Sequence, residues 1–165
     1  MRKVMKEKIP EIVKKSHREL PHFSDGRVDY SDADKAPTVI TFLKHENKFL
    51  LLKRSDKVRT YKNKWCVVAG YLDELKPVGE KALEEVKEET GIREDEISEI
   101  YSGESFMFED ENKTWISHPV LMELKEKPDV VLDWEHTEYK WVKERDLDKY
   151  ISYHFLRGLK NLQTL

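Results

Sequence analysis

Glu85, Glu88 and Glu89 lie three and four residues apart in the stretch ALEEVKEET. On a helix those spacings put side chains on one face. Carboxylates placed so closely repel one another, at about 0.2–0.5 kcal/mol for each exposed pair. They also fall near the C-terminal end of the segment, where the helix dipole disfavours negative charge. A cation would relieve both penalties. Hard oxygen donors suit Mg2+ or Mn2+, which bind through carboxylates, substrate phosphates and water. The chemistry that follows is metal-assisted attack on a phosphorus centre. The competing reading is a solvated charged face, because glutamate is a good helix former.

Other chemistry-bearing types are sparse. Cys66 is the sole cysteine and sits in the apolar run WCVVA, so it reads as a small buried hydrophobe and not as a nucleophile. His118 and His136 lack zinc-ligand spacing and have no second cysteine to join them. Of the two, His136 is the minor site candidate. Trp65, Phe106, Phe108, Trp115 and Trp134 offer rings that could stack on a base. Trp65 and Trp115 lie in strand-like runs and read as core. Trp134 has polar neighbours and reads as exposed, which makes it a substrate-binding candidate.

The elements that must position these residues follow from periodicity. Residues 3–19 carry Val4, Met5, Ile9, Ile12 and Val13 among charges and read as an amphipathic helix adjusted by Pro10. Residues 21–37 are rich in turn formers and read as a linker. Thr38–Leu43 and Phe49–Leu52 form a hairpin, and a polar loop runs from Arg54 to Lys64. Trp65–Ala69 reads as one buried strand ended by Gly70. The spacing predicts a helix over 77–90, with Pro77 in its first turn and Gly91 just past its end. Strands over 97–109 and 114–124, a short strand at 138–142 and one or two final helices complete the series. This order predicts an α+β fold with a mixed sheet between helices, with 1–35 as an N-terminal helical extension and linker and 36–165 as the main domain. The extension could pack on the domain or make an oligomer contact such as a homodimer.

Composition narrows the classes. Hydrophobic and charged residues are each 38% of the chain, enough for a core under a heavily charged surface. A formal net charge of −3 argues against nucleic acid as partner. The N-terminus lacks the apolar stretch of a signal peptide, and no run approaches the ~20 apolar residues of a membrane span. A lone cysteine fits a reducing compartment, so a cytoplasmic protein is expected.

Residues 70–92, GYLDELKPVGEKALEEVKEETGI, resemble the Nudix box: a glycine, five free positions, a glutamate, seven free positions, then R-E-U-x-E-E-x-G-U, with U a bulky aliphatic. Gly70, Glu85, Val86, Glu88, Glu89, Gly91 and Ile92 fall in register without a gap. The resemblance extends over about 36–160 and implies the Nudix fold. It also implies Mg2+ or Mn2+ held by Glu85, Glu88, Glu89 and the Gly70 carbonyl. One glutamate, or a carboxylate from a later loop, would take the proton of the attacking water. Asp133, Glu135 and Glu138 are the candidates for that loop carboxylate, with Glu135 preferred. Lys53, Arg54 and Arg59, upstream of the box, are candidates for substrate phosphates, Arg54 first because it directly follows a strand.

Two positions depart from the pattern: Lys76 stands for the box glutamate and Glu84 for the box arginine. Both reverse the charge, which predicts a compensating Lys76–Glu84 bridge; the alternative is surface drift. The function implied is hydrolysis of a phosphoanhydride bond in a nucleoside diphosphate derivative or related organic pyrophosphate, a small-molecule substrate. The alternative is a non-catalytic Nudix-fold module that binds a nucleotide or a protein. A prenyl-diphosphate isomerase ranks last, since its cysteine lies in a different context from Cys66.

Overall fold

The computed structural model describes residues 8–163. Alternation along the first hairpin sets the architecture. In β1 (Lys35–His45) and β2 (Lys48–Arg54), Val39, Leu43, Leu50 and Leu52 point to one side of the sheet. Ile40, Phe42, Phe49 and Leu51 point to the other. Both faces are apolar, so each needs a covering layer. The first is covered by α1 (Glu11–Glu19) through Val13 and by α2 (Val78–Thr90) through Val78, Ala82 and Val86. The second is covered by α3 (Tyr153–Gln163) through Leu159 and Leu162, with Leu147 from the 3-10 turn before it and Ile151 from the link between the two. The result is the expected mixed sheet between helices.

The remaining strands are β3 (Trp65–Cys66), β4 (Val68–Tyr71), β5 (Ile97–Ser102), β6 (Phe106–Asp110), β7 (Lys113–Leu124) and β8 (His136–Lys143). All eight strands form one sheet. At its centre β1 and β7 run parallel, from Lys35 opposite Thr114 to Lys44 opposite Glu123. The other pairings are antiparallel.

Two expected strands are divided. The run 65–69 splits at Val67: β3 pairs with β2, while β4 pairs with β1 and carries Gly70 within it. The stretch 97–109 breaks after Ser102, and both pieces pair with β7. The cause is Pro119. Its carbonyl accepts from Gly103 N at 3.0 Å, but a proline has no N–H to return, so the ladder is interrupted there.

The first helix starts later than its apolar spacing suggested, because Pro10 sits at its N-cap; Val4 and Met5 lie outside the described residues. Residues 21–34 are not a loose connector. Val28 and Tyr30 are buried with Ala36 in a small cluster of their own, against which Trp115 packs. No helix among the described residues is long and apolar enough to cross a membrane.

Helix α2 stops at Gly91, whose φ of +76° is the left-handed cap conformation; its N–H donates to Lys87 O at 2.9 Å. An added Cβ would meet the Val131 side chain at 3.4 Å. Gly91→Ala is expected to cost about 1 kcal/mol through backbone strain, read as a lower midpoint in chemical denaturation with an unchanged slope.

Candidate active site

Glu85 and Glu89 converge where α2 crosses β4. A Cβ built on Gly70 would lie 2.5 Å from the Glu85 carboxyl carbon, so the bare backbone is what lets that carboxyl settle against the strand. Glu89 is 3% exposed. Both carboxyl groups are pushed above the usual carboxylate range. Burial is the first cause for each; the charge of Glu85 adds to the shift of Glu89. Such a pair retains a proton in place of two adjacent charges. Glu88, one turn away, faces the cavity described below. Among the described residues no three His, Cys, Asp or Glu side chains converge into a finished chelate. The donor chemistry nevertheless suits a hard divalent ion. It is an all-oxygen set in which Glu85 and Glu89 are withdrawn from water and Glu85 is packed against the bare Gly70 backbone.

The charge reversal at the two departing box positions is a closed bridge. Lys76 Nζ donates to Glu84 Oε1 at 2.6 Å and also lies 3.3 Å from Glu74 Oε2. A residue that the sequence reading did not single out joins it. Lys81, only 6% exposed, donates to Glu74 Oε1 at 2.8 Å and stands 3.0 Å from Asp73 Oδ1 and 3.7 Å from Glu85 Oε1. Burial alone would lower the Lys81 ammonium; Glu74 and Asp73 outweigh it and hold its pKa well above the ordinary value. Glu85 thus has a cation one turn before it, while its neighbour Glu84 is occupied by Lys76. The i, i+4 spacing of Lys81 and Glu85 was the one sequence signal that could have pointed here.

His136 is also more engaged than its sequence context indicated. It is buried, with Nδ1 at 2.9 Å from Asp133 Oδ1, Nε2 at 3.6 Å from Glu89 Oε1, and the Cys66 Sγ 3.9 Å from Nε2. Burial lowers its pKa, against an opposing pull from Asp133. Cys66 is inert as read: burial raises its thiol to about 12.

The DWEHTE carboxylates separate into different places. Asp133 is tied to His136. Glu138 pairs outward with Lys53 at 3.3 Å. Glu135 lines the cavity, anchored by Ser55 N donating to its carbonyl at 2.7 Å, and its carboxyl is raised first by burial and then by Asp133. Arg54 lines the same cavity; its Nε donates to Thr60 O at 2.9 Å and its N–H to Lys64 O at 2.9 Å, which closes the polar loop at its base. Arg59 is not in the wall. Trp134 is 65% exposed and also stands outside it.

The cavity itself measures about 750 Å³. Gly70, Glu85, Glu88, Arg54 and Glu135 line it, and Trp65, Phe108, Trp115 and Tyr150 supply rings to the wall. Trp65 and Trp115, read as core, each turn a face to this space. Trp115 Nε1 and Ser117 Oγ are buried in its wall with no hydrogen-bond partner among the described residues. They are two apart on β7 and so share one side of the sheet.

The comparisons with known proteins agree with this geometry. The family profile of the NUDIX domain matches residues 34–159, so the chain belongs to the Nudix family. It is similar in structure to a MutT protein from Methanosarcina mazei Go1, with 27% identity, a TM-score of 0.64, and coverage of 81% of this chain and 96% of that one. It is also similar to an Ap4A hydrolase from C. elegans in a binary complex (24% identity, TM-score 0.63, 80% and 96% covered). A third neighbour is the NUDIX domain of Shewanella oneidensis NrtR complexed with ADP ribose (15% identity, TM-score 0.65, 79% and 87% covered). No curated protein sequence matches the chain significantly.

Two outcomes follow from the electrostatics. The folded Glu85–Glu89 pair holds more protons than the unfolded chain, so metal-free stability should fall as pH rises from about 4.5 through about 7. Melting temperatures in EDTA should therefore be lower at pH 8 than at pH 5, and Mg2+ should restore more stability at pH 8. Separately, Lys76→Glu and Glu84→Arg should each destabilise by up to about 1 kcal/mol, and the double change should recover most of the loss in a denaturation cycle.

Proposed function

We propose that this chain is a metal-dependent pyrophosphohydrolase that cleaves a phosphoanhydride bond in a nucleoside diphosphate derivative. The observation that carries the reading is the desolvated Glu85–Glu89 carboxyl pair, seated against Gly70 beside a partly aromatic cavity large enough for a nucleotide.

Glu85, Glu88, Glu89 and the Gly70 carbonyl are the groups that would hold Mg2+ or Mn2+, which when bound supplies positive charge at the diphosphate. The protein's own side chains account for the rest. Arg54 offers its guanidinium to a phosphate from a strand end whose backbone is pinned on both sides of the loop. Glu135, raised by burial, is suited to accept a proton from the attacking water. The water oxygen bonds to phosphorus, the bond from phosphorus to the bridging oxygen breaks, and the departing phosphate carries away the electron pair. Lys81 keeps Glu85 from turning toward the acidic side chains around it. His136, braced by Asp133, does the same for Glu89.

The aromatic wall supports a nucleoside as the second part of the substrate. Rings such as Phe108 and Tyr150 are suited to a base, and the unsatisfied Trp115 N–H and Ser117 hydroxyl are suited to its polar edge. The ADP ribose held by the NrtR domain is a ligand of this class, on a domain of the same fold. The buried, unreactive Cys66 is consistent with work in the reducing cytoplasm.

The test is a Mg2+-dependent hydrolysis screen over nucleoside triphosphates, nucleotide sugars, ADP-ribose, dinucleoside polyphosphates and coenzyme derivatives. Turnover should vanish in Glu89→Gln and fall on the order of 100-fold or more in Glu135→Gln. No turnover by folded protein with Mg2+ or Mn2+ present would sink the enzymatic reading and favour a binding module.

A further inference from the structure

We infer that Arg27, which precedes the region matched by the family profile, is a substrate-binding residue that grips a phosphoryl oxygen of the bound diphosphate; this rests on the proposed function above. Residues 21–30 fold into a small closed loop. Phe23 N donates to Arg27 O at 2.8 Å, Gly26 N to Phe23 O at 2.9 Å, and Asp29 N to Pro21 O at 2.8 Å. Gly26, at φ +92°, makes the tight reversal that a side chain would strain.

That loop is clamped to residues 71–73, the stretch that follows Gly70. Val28 N donates to Asp73 O at 2.9 Å and the Tyr30 hydroxyl to Leu72 O at 2.7 Å. The Tyr30 ring stacks on Tyr71 at 5.4 Å, and Lys113 Nζ donates to Tyr30 O at 2.7 Å. None of these anchors uses the Arg27 guanidinium. They tie the loop to the domain without it; within the loop the guanidinium packs over the Phe23 ring at 5.5 Å.

The geometry of the Arg27 side chain indicates a task. Arg27 Nε donates to Asp25 Oδ2 at 2.8 Å, and Asp25 Oδ1 accepts Arg27 N–H at 3.0 Å. Asp25 therefore fixes one edge of the fork. Nη1 lies 3.7 Å from Asp73 Oδ2, an ion-pair contact beyond hydrogen-bond reach, and Lys81 already compensates Asp73 at 3.0 Å. Among the described residues the terminal amines make no hydrogen bond. The side chain remains half exposed and lines the same cavity as Gly70, Glu85 and Glu88. A planar cation oriented along one edge, whose terminal amines make no hydrogen bond and only a long ion pair to Asp73, suits a phosphate better than any neutral group. A loop outside the conventional domain thus completes the cavity wall.

The experiment compares wild type, Arg27→Gln and Arg27→Lys by steady-state kinetics on the best substrate of the screen. The same proteins are titrated calorimetrically with imidodiphosphate in Mg2+, and their melting curves are recorded. Arg27→Gln should raise KM about tenfold, the scale of one charge-assisted hydrogen bond, with kcat within about twofold and melting unchanged. Imidodiphosphate affinity should fall by the same factor, with Arg27→Lys in between. An unaltered KM and affinity in a folded, active Arg27→Gln protein overturns the inference and leaves the hydrolase reading intact. A wild type that binds imidodiphosphate through Arg27 but hydrolyses nothing overturns the hydrolase reading alone. A wild type that does neither overturns both.

Discussion

Glu85 and Glu89 sit one turn apart on α2, withdrawn from water, and burial holds both carboxyl groups above the usual carboxylate range. An isolated carboxylate taken out of water costs several kcal/mol, and two together cost more unless a proton or cation intervenes. Much of the local structure answers this demand. Lys81 is drawn inward beside Glu85. Asp73 and Glu74 are drawn in to neutralise Lys81, and Lys76 occupies Glu84 and shares Glu74. On the other side His136 approaches Glu89 and is itself steadied by Asp133. The chain of contacts reaches from the N-terminal loop, through Asp73, to the strand that carries His136.

The sheet converts that local balance into a site. β4 brings Gly70 under α2, β8 brings His136 to Glu89, and the end of β2 supplies Arg54. Each arrives from a different stretch of chain, and only the sheet's register makes them neighbours. The covering layers divide the work. The α2 side holds the carboxylates, and the α3 side, with β6 and β7, holds the rings and the unsatisfied Trp115 and Ser117.

Residues whose partners are local in sequence were legible before the fold was known. The glutamate face, the helix bounded by Pro77 and Gly91, and the opposed charges of Lys76 and Glu84 all belong to one turn-and-helix segment. Continuous apolar runs placed the first hairpin, and apolar residues at helical spacing placed the final helix. Features that depend on distant partners were not legible. Lys81 looks like any helix-surface lysine until Asp73 and Glu74 fold over it. Trp115 in a strand reads as core unless β6 and α3 are known to leave space beside it. Arg59 stands outside the cavity wall, on a loop that closes back on Arg54. The run 65–69 is uniformly apolar, and nothing in it marks the change of partner at Val67.

The parallel pairing of β1 with β7 carries a consequence for how the molecule is made. These strands lie far apart along the chain, yet β7 supplies one whole flank of β1 over Lys35–Lys44. During synthesis β1, β2 and α2 emerge first, and β1 waits with its inner edge open until β7 follows. That edge displays Val39, Ile40, Phe42 and Leu43, a β-branched and aromatic segment of the kind that recruits foreign strands. Closing the gap is slow, because so long a loop must be drawn together before any contact rewards it. The nascent protein is therefore most vulnerable to aggregation in the interval before Leu124 leaves the ribosome, and a chain truncated within β7 would carry that hazard permanently.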